Sequence, residues 1–488
     1  MQLILILSVL GATPDIGLLP GKNPNPSSVE MRGLWVPAWE ITSPQAVDTV
    51  VDKASRYGFN ALFVQMRFRG DRLYIANRVS SRYPNPEPVS SSLDQPLDKF
   101  DPLAYILAKG HRAGLEVHAW VTVYVAANQK TATPPGHPLT AHPDWVMTTD
   151  SGVKSDIGNM QWLDPGNPEV NPYLENIFCD LVSGYEVDGL HLDYVRYPGS
   201  KFGYNQGAME AYQRETGKAP ADDTAGFTEW RCAKVTSFIS DLYTKIQEIR
   251  PGCALSAAVF GERERVALPD CLQDWGKWLA DGILDFAVTM SYSTKDDDIE
   301  RQCADYEEIN KNRYVYVGLG VLKRKPEAKK DEEGKNTKEH STAGGDVTGS
   351  YDPPESIISK ITIIRKHSLP GLAIFSYGTL SEDDDLRFKA LAAGPFAGKA
   401  RVPALPWKYA FRPYLAALGT GEKQVWTIVT DGGMGKRLAV LRAKTYAYAG
   451  YSDAFISRQD ELYRTCVGRL PTREDANKLL LTLGSTPK

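Results

Sequence analysis

Eight short apolar runs recur between residues 32 and 378, separated by longer and mostly amphipathic stretches, and this alternation limits the folds open to the chain. The runs cover 32–39 (RGLWVPAW), 59–67 (FNALFVQMR), 115–124 (LEVHAWVTVY), 187–195 (VDGLHLDYV), 254–261 (ALSAAVFG), 285–293 (DFAVTMSYS), 314–320 (YVYVGLG) and 371–378 (GLAIFSYG). Between them lie helical patterns over 45–58, 102–114 and 230–252, the first two ending in a glycine placed to cap a C-terminus. Strands separated by helices pair in parallel. Eight of them fit an α/β fold, a (β/α)8 TIM barrel over residues 30–395. An open doubly wound sheet is the competitor, but residues 33–44 after the first run hold no G-x-G-x-x-G phosphate turn.

The fourth run carries the sharpest chemical signal. Residues two apart in a strand share a face, so Gly189, His191 and Asp193 share one side and Leu190 and Leu192 the other. In a barrel the leucines suit the helix layer, and a carboxylate near the C-terminal end of the inner face reads as active-site machinery. Similar polar positions recur on other runs. Trp35, Pro37 and Trp39 line up on the first, Phe63, Gln65 and Arg67 on the second, His118 and Trp120 on the third, Met290 and Tyr292 on the sixth. Arg196 and Tyr197 follow Asp193, while Glu262, Asp274 and Trp275 lie beyond the fifth run.

Aromatic faces with amides, guanidinia and carboxylates suit a polyhydroxylated ligand. Glycoside hydrolysis generally needs two carboxyl groups. Asp193 with Glu262 is the expected pair, and Asp274 is the reserve second member. Trp35, Trp39, Gln65, Arg67, His118, Trp120, His191, Arg196, Tyr197, Trp275, Met290 and Tyr292 are the expected sugar contacts. The structural alternative for either histidine is a hydrogen-bonded core role. For Arg67 or Arg196 it is neutralising a buried carboxylate.

A formal charge of −4 offers no basic field for nucleic acid. The first residues, MQLILILSVLGA, are too short to span a bilayer and suit the apolar segment of an export signal, so residues 1–29 are set aside and an exported protein is expected. No later segment could cross a membrane. The six cysteines show no zinc spacing. Buried free thiols are expected, with pairing among Cys232, Cys253, Cys271 and Cys303 the alternative in an exported chain. No metal or other cofactor is implied. Residues 322–350 read as a charged, solvated loop, and Pro and Gly mark a linker over 396–420. A small α+β unit follows over 421–488, ordered strand 423–430, helix 435–450, strand 451–458, strand 462–468 and helix 471–483.

The stretches 31-MRGLWVPAW-39, 60-NALFVQMRFRGDRLY-74, 114-GLEVHAWVTVY-124, 163-LDPGNPEV-170, 187-VDGLHLDYVRYPG-199, 273-QDWGKWLADGILD-285 and 290-MSY-292 resemble the glycosyl hydrolase-like 10 family of bacterial envelope barrels. That resemblance implies an exported barrel acting on glycan, and peptidoglycan strands as substrate. More distantly the chain resembles amylase-like barrels, whose nucleophile is an aspartate ending the fourth strand, the place of Asp193. Residues 462–480 resemble the last strand, turn and helix of a SPOR domain, a small ferredoxin-like peptidoglycan-binding module that favours strands stripped of peptide. Association with cell-division machinery is implied by the same resemblance. Two other classes compete with the hydrolase. One is a catalytically silent glycan-binding barrel. The other is a metal-dependent hydrolase using His118, His191 and Asp193, which lacks the His-x-His expected on its first strand.

Overall fold

The first run folds as strand β1 (Met31–Val36), and the other seven follow as β2 (Ala61–Arg67), β3 (Glu116–Thr122), β4 (Gly189–Asp193), β5 (Ala254–Phe260), β6 (Phe286–Met290), β7 (Tyr314–Gly320) and β8 (Gly371–Phe375). The computed structural model describes residues 28–79, 82–128, 133–154, 160–310, 313–321 and 351–409, with short stretches of the C-terminal region between 414 and 479. The eight strands close into one barrel in sequence order, β8 pairing in parallel with β1. The doubly wound alternative is thereby excluded. The chain divides into two compact units, one of residues 26–243 and 255–403 and a second that includes residues 404–488.

Each strand leads to a helix: α1 (Pro44–Arg56), α2 (Pro102–Ala113), α3 (Val170–Gly184), α4 (Thr224–Ile249), α5 (Trp275–Ala280), α6 (Asp296–Ile309), α7 (Pro354–Lys366) and α8 (Tyr377–Ala393), the last broken at residues 382–385. Local chemistry sets the first two. Ser43 and Asp101 cap them by accepting from Ala46 N and Ala104 N, and a proline fills the first helical position where no N–H is needed. Gly58 and Gly114 follow their C-termini with φ of 84° and 79°, a conformation that favours glycine.

A parallel barrel must fill its own interior. Trp35 enters from β1 and Phe63 from β2, their ring centres 5.5 Å apart. Space for them comes from Gly33 and Gly318. A methyl group at Gly33 would stand 2.8 Å from the Phe63 ring, and one at Gly318 would stand 2.8 Å from the Trp35 ring. His191 reaches in from β4. Its Nε2 lies 3.2 Å from Trp35 Nε1, and its Nδ1 lies 2.9 Å from Ser256 Oγ on β5. An indole N–H can only donate, so Nε2 is the acceptor and the proton sits on Nδ1. His118 lies one pair lower, against Phe63 and Phe286, and contacts Glu116.

Two expectations fail at strand ends. The first run stops at Val36 because Pro37 cannot continue the ladder. Residues 38–40 form a short 3-10 turn, so Trp39 does not share the inner face with Trp35 and is 59% exposed. On β2 the register slips between Gln65, opposite Trp120, and Arg67, opposite Val121. The extra residue turns Arg67 from the barrel interior to the helix layer.

In the second unit, β9 (Tyr414–Leu418), β10 (Val425–Val429), β11 (Ala454–Gln459) and β12 (Leu462–Leu470) form an antiparallel sheet in the order 9-10-12-11. β9 falls inside the expected linker, which is therefore shorter than 396–420. Its YLAAL sequence has no alternation to betray it, and pairing with β10 satisfies its backbone. Ala476 is buried, and Leu479 lies beside Gly468 of β12, as an expected packed helix requires. The apolar N-terminal run, the charged loop 322–350, nearly all of the helix over 435–450 and the last helix beyond Leu479 lie outside the described residues. No described helix is long and apolar enough to cross a membrane, and the six cysteines form no disulfide.

Burial pushes His191 well below the usual histidine range, and the neighbouring His118 adds to the shift. Below pH ~6.5 the unfolded chain binds a proton that the folded barrel refuses, so stability is present above that pH and falls beneath it by up to about 1.4 kcal/mol per unit. Melting temperatures of the native protein should drop between pH 7 and pH 5 more steeply than those of His191→Gln. Parallel curves would remove His191 from this account.

Candidate active site

Asp193 ends β4 at the C-terminal mouth of the barrel, 8% exposed. Its Oδ2 accepts from Trp120 Nε1 at 3.1 Å and its Oδ1 from Tyr194 N at 2.7 Å. Arg196 Nη1 stands 3.9 Å from Oδ1. Burial pushes the carboxyl up from its ordinary range, while Arg196 and the N–H groups of Tyr194 and Trp120 pull it back. Both oxygens face donors that cannot accept, so these neighbours are arranged for the ionised form. Tyr194 is held at φ 53°, a left-handed conformation uncommon for a bulky residue, which swings the chain out of the strand directly after the carboxylate.

Around Asp193 the rim is aromatic. Trp120 meets Phe375 of β8 edge-on at 6.3 Å, and Tyr292 stacks on Phe375 at 5.9 Å. The charges of Asp193 and Arg196 both act on the Tyr292 phenol, which burial pushes far up. On another side Arg196 lies 4.6 Å over the Tyr194 ring and 4.6 Å over Phe260, with Trp162 at 5.9 Å. Met290, at the end of β6, pairs in register with Phe260 and Gly318. The expected residues that meet here are Asp193, Trp120, Arg196 and Tyr292.

Other expected residues stand beneath or behind the mouth. Trp35, His118 and His191 fill the barrel, and Gln65 accepts from Ala38 N at 3.2 Å to pin the turn after β1. With both ring nitrogens of His191 engaged, a metal set of His118, His191 and Asp193 finds no free lone pair there. Arg67 is fully buried. It holds Glu87 through two nitrogens and donates to the carbonyls of Thr122 and Val123, which corrects its expected sugar contact. Tyr197 is also buried, its phenol pushed far up by burial and the nearby Asp164. Trp275 donates to Phe260 O at 3.2 Å from inside the wall.

Both expected partners of Asp193 are engaged with other groups. Asp274 caps α5 by accepting from Lys277 N, and Glu262 pairs with Arg301 at 2.9 Å and Arg265 at 3.4 Å. A carboxyl that sequence reasoning passed over lies in the turn after β2. Phe68 N donates to Asp71 O, and Arg69 (φ 60°) and Gly70 (φ 74°) are the two central residues of this hairpin. Arg69 N leans on Thr122 Oγ1 at 3.3 Å, and Thr122 is the register partner of Asp193. Burial pushes Asp71 up to about 6, with Glu87 adding to the shift and Ser90, Arg67 and Arg69 opposing it; its Oδ1 has no hydrogen-bond partner. The signal available was FRGD itself, a turn sequence directly after a barrel strand. Asp164 also rises to about 6 through burial, but it is a structural group, holding Gly166 N and Asn205 N.

A closed parallel barrel with a buried, donor-held carboxylate on an aromatic mouth is the frame of a (β/α)8 glycoside hydrolase. Residues 30–333 match the family described as Glycosyl hydrolase-like 10, and the chain belongs to that family and is a glycoside hydrolase. It is 26% identical over 363 residues to Glycosyl hydrolase DigH of Escherichia coli (strain K12), covering 64% of this chain and 77% of that one. Against Glycosyl hydrolase YngK of Bacillus subtilis the identity is 22% over 420 residues, 78% of this chain and 74% of that one. The fold is also that of the PgaB (BpsB) glycoside hydrolase domain from Bordetella bronchiseptica, with a TM-score of 0.53 at 15% identity over 74% of this chain and 98% of that domain.

Proposed function

We propose that this enzyme is exported and hydrolyses the glycan strands of peptidoglycan, acting on stretches freed of stem peptide. The observation that carries the chemistry is Asp193, a buried carboxylate held by two N–H donors at the aromatic mouth. Ionised, Asp193 either attacks the anomeric carbon or takes the proton of the attacking water, while a second carboxyl gives its proton to the departing oxygen. Asp71 suits that second role better than Glu262 or Asp274. Burial pushes it up to about 6, so it keeps its proton closer to neutral pH than an ordinary carboxyl and has an unengaged oxygen, whereas the other two are committed to Arg301, Arg265 and Lys277. The family supports a glycan substrate. Peptidoglycan rests on the SPOR-like sequence of residues 462–480 and on the small antiparallel sheet that contains β12. Association with the division machinery belongs to the same reading.

Asp193→Asn should lower turnover of peptide-free strands by a thousandfold or more, on the order expected for a lost nucleophile or base, while binding survives. Asp71→Asn should cost more on natural glycan than on a glycoside with an activated aryl leaving group, which needs no proton. The same differential in Glu262→Gln or Asp274→Asn would move the donor role there. Near-native turnover in Asp193→Asn would refute the assignment.

The C-terminal unit acts in this reading as a tether that raises the local concentration of barrel on its polymer. A chain ended after Pro403 should cleave short soluble oligomers as before. Its binding to insoluble sacculi should weaken by roughly a hundredfold. Equal losses on short and long glycans would contradict the tether.

A further inference from the structure

Arg196 is 7% exposed and its Nη1 is buried without a hydrogen-bond partner. The guanidinium is fixed in place, stacked on Tyr194 and Phe260, yet its nearest carboxylate oxygen, Asp193 Oδ1, is 3.9 Å away and beyond hydrogen-bond reach. A buried donor left unmade is costly, and at the mouth of an enzyme a ligand is the group that relieves it. Asp193 Oδ1 is held on Tyr194 N and does not close that gap. A second guanidinium comes from the turn after β2. Arg69 stacks 3.9 Å over the Phe68 ring and makes no side-chain hydrogen bond among the described residues. Its charge and that of Arg196 both act on the Tyr194 phenol.

We infer that Arg196, with Arg69 beside it, forms a subsite for a carboxylate carried by the sugar next to the scissile bond. Planar guanidinia with parallel N–H groups match a carboxylate. The charges facing the subsite are Asp193 and Asp71, which leave the two arginines uncancelled only in part, so the subsite selects an anion that also makes hydrogen bonds. This deepens and rests on the peptidoglycan reading. The lactyl group of muramic acid ends in a free carboxylate only where the stem peptide has been removed. An amide-linked peptide at the same place offers no anion and brings bulk, so the subsite gives a physical reason for peptide-free strands.

The test compares peptide-free strands, the same strands with their carboxylates converted to neutral carboxamides, and uncharged N-acetylglucosamine oligomers. The native protein should favour the free carboxylate over the carboxamide by ~10-fold to 100-fold in KM and in binding, less at high salt. Arg196→Gln should reduce that ratio at least tenfold, and Arg196→Lys should restore part of it. Because Arg196 is packed among rings, Arg69→Gln on the more open side guards against a folding defect and should reduce the ratio as well. Equal handling of carboxylate and carboxamide by the native protein, or an unchanged ratio in both glutamine variants, overturns the subsite. Binding separates this inference from the hydrolase reading. Preference for the carboxylate without cleavage of any glycan keeps the subsite and removes peptidoglycan hydrolysis, whereas cleavage without preference does the reverse.

Discussion

The hydrogen bond from Trp35 to His191 crosses the inside of the barrel, joining β1 to β4, and the rest of the site is built upon it. Large rings from these strands can meet only because Gly33 and Gly318 leave room beside them. His191 in turn donates its Nδ1–H to Ser256 on β5, so three strands are tied by one imidazole. That layer forms a floor for Trp120 and Asp193 above it. Removing such a ring would cost about 3–5 kcal/mol, a large part of the stability of a typical domain.

On this floor the protein keeps two arrangements that oppose stability. Asp193 is buried with its charge, and Tyr194 is forced to positive φ. Each is costly alone, and together they serve one geometry. The turn at Tyr194 brings its N–H onto Asp193 and swings Arg196 back over the aromatic wall. Arg67 contributes from behind. Its buried pair with Glu87 fixes the carbonyls of Thr122 and Val123 beside the end of β4, so a guanidinium with no access to ligand still helps to place the carboxylate.

Most of the frame could be read from the sequence because strand parity and helix caps are local signals. Gly189, His191 and Asp193 do share the inner face, and Leu190 and Leu192 are buried on the other. Parity failed where the backbone left the regular strand. The slip at Met66 turned Arg67 outward, and Pro37 ended β1 before Trp39. Asp274 was chosen for its chemistry, but its position directly before a helix marked it as a cap. Phe375 and Phe260 reach the mouth only on closure of the barrel, so spacing along the chain could not associate them with Asp193. The strand over Tyr414–Leu418 was hidden because its pairing lies with a partner, not in its own pattern.

Asp193 works as an ionised carboxylate whose proton affinity is raised by burial. Its carboxyl carbon can be followed by isotope-edited NMR across an acid titration, alongside kcat/KM on peptide-free strands. The midpoint for Asp193 should lie above the ordinary ~3.9, with activity lost as pH falls through that same midpoint. An ordinary midpoint, or an acid limb of activity displaced from it, would contradict the account.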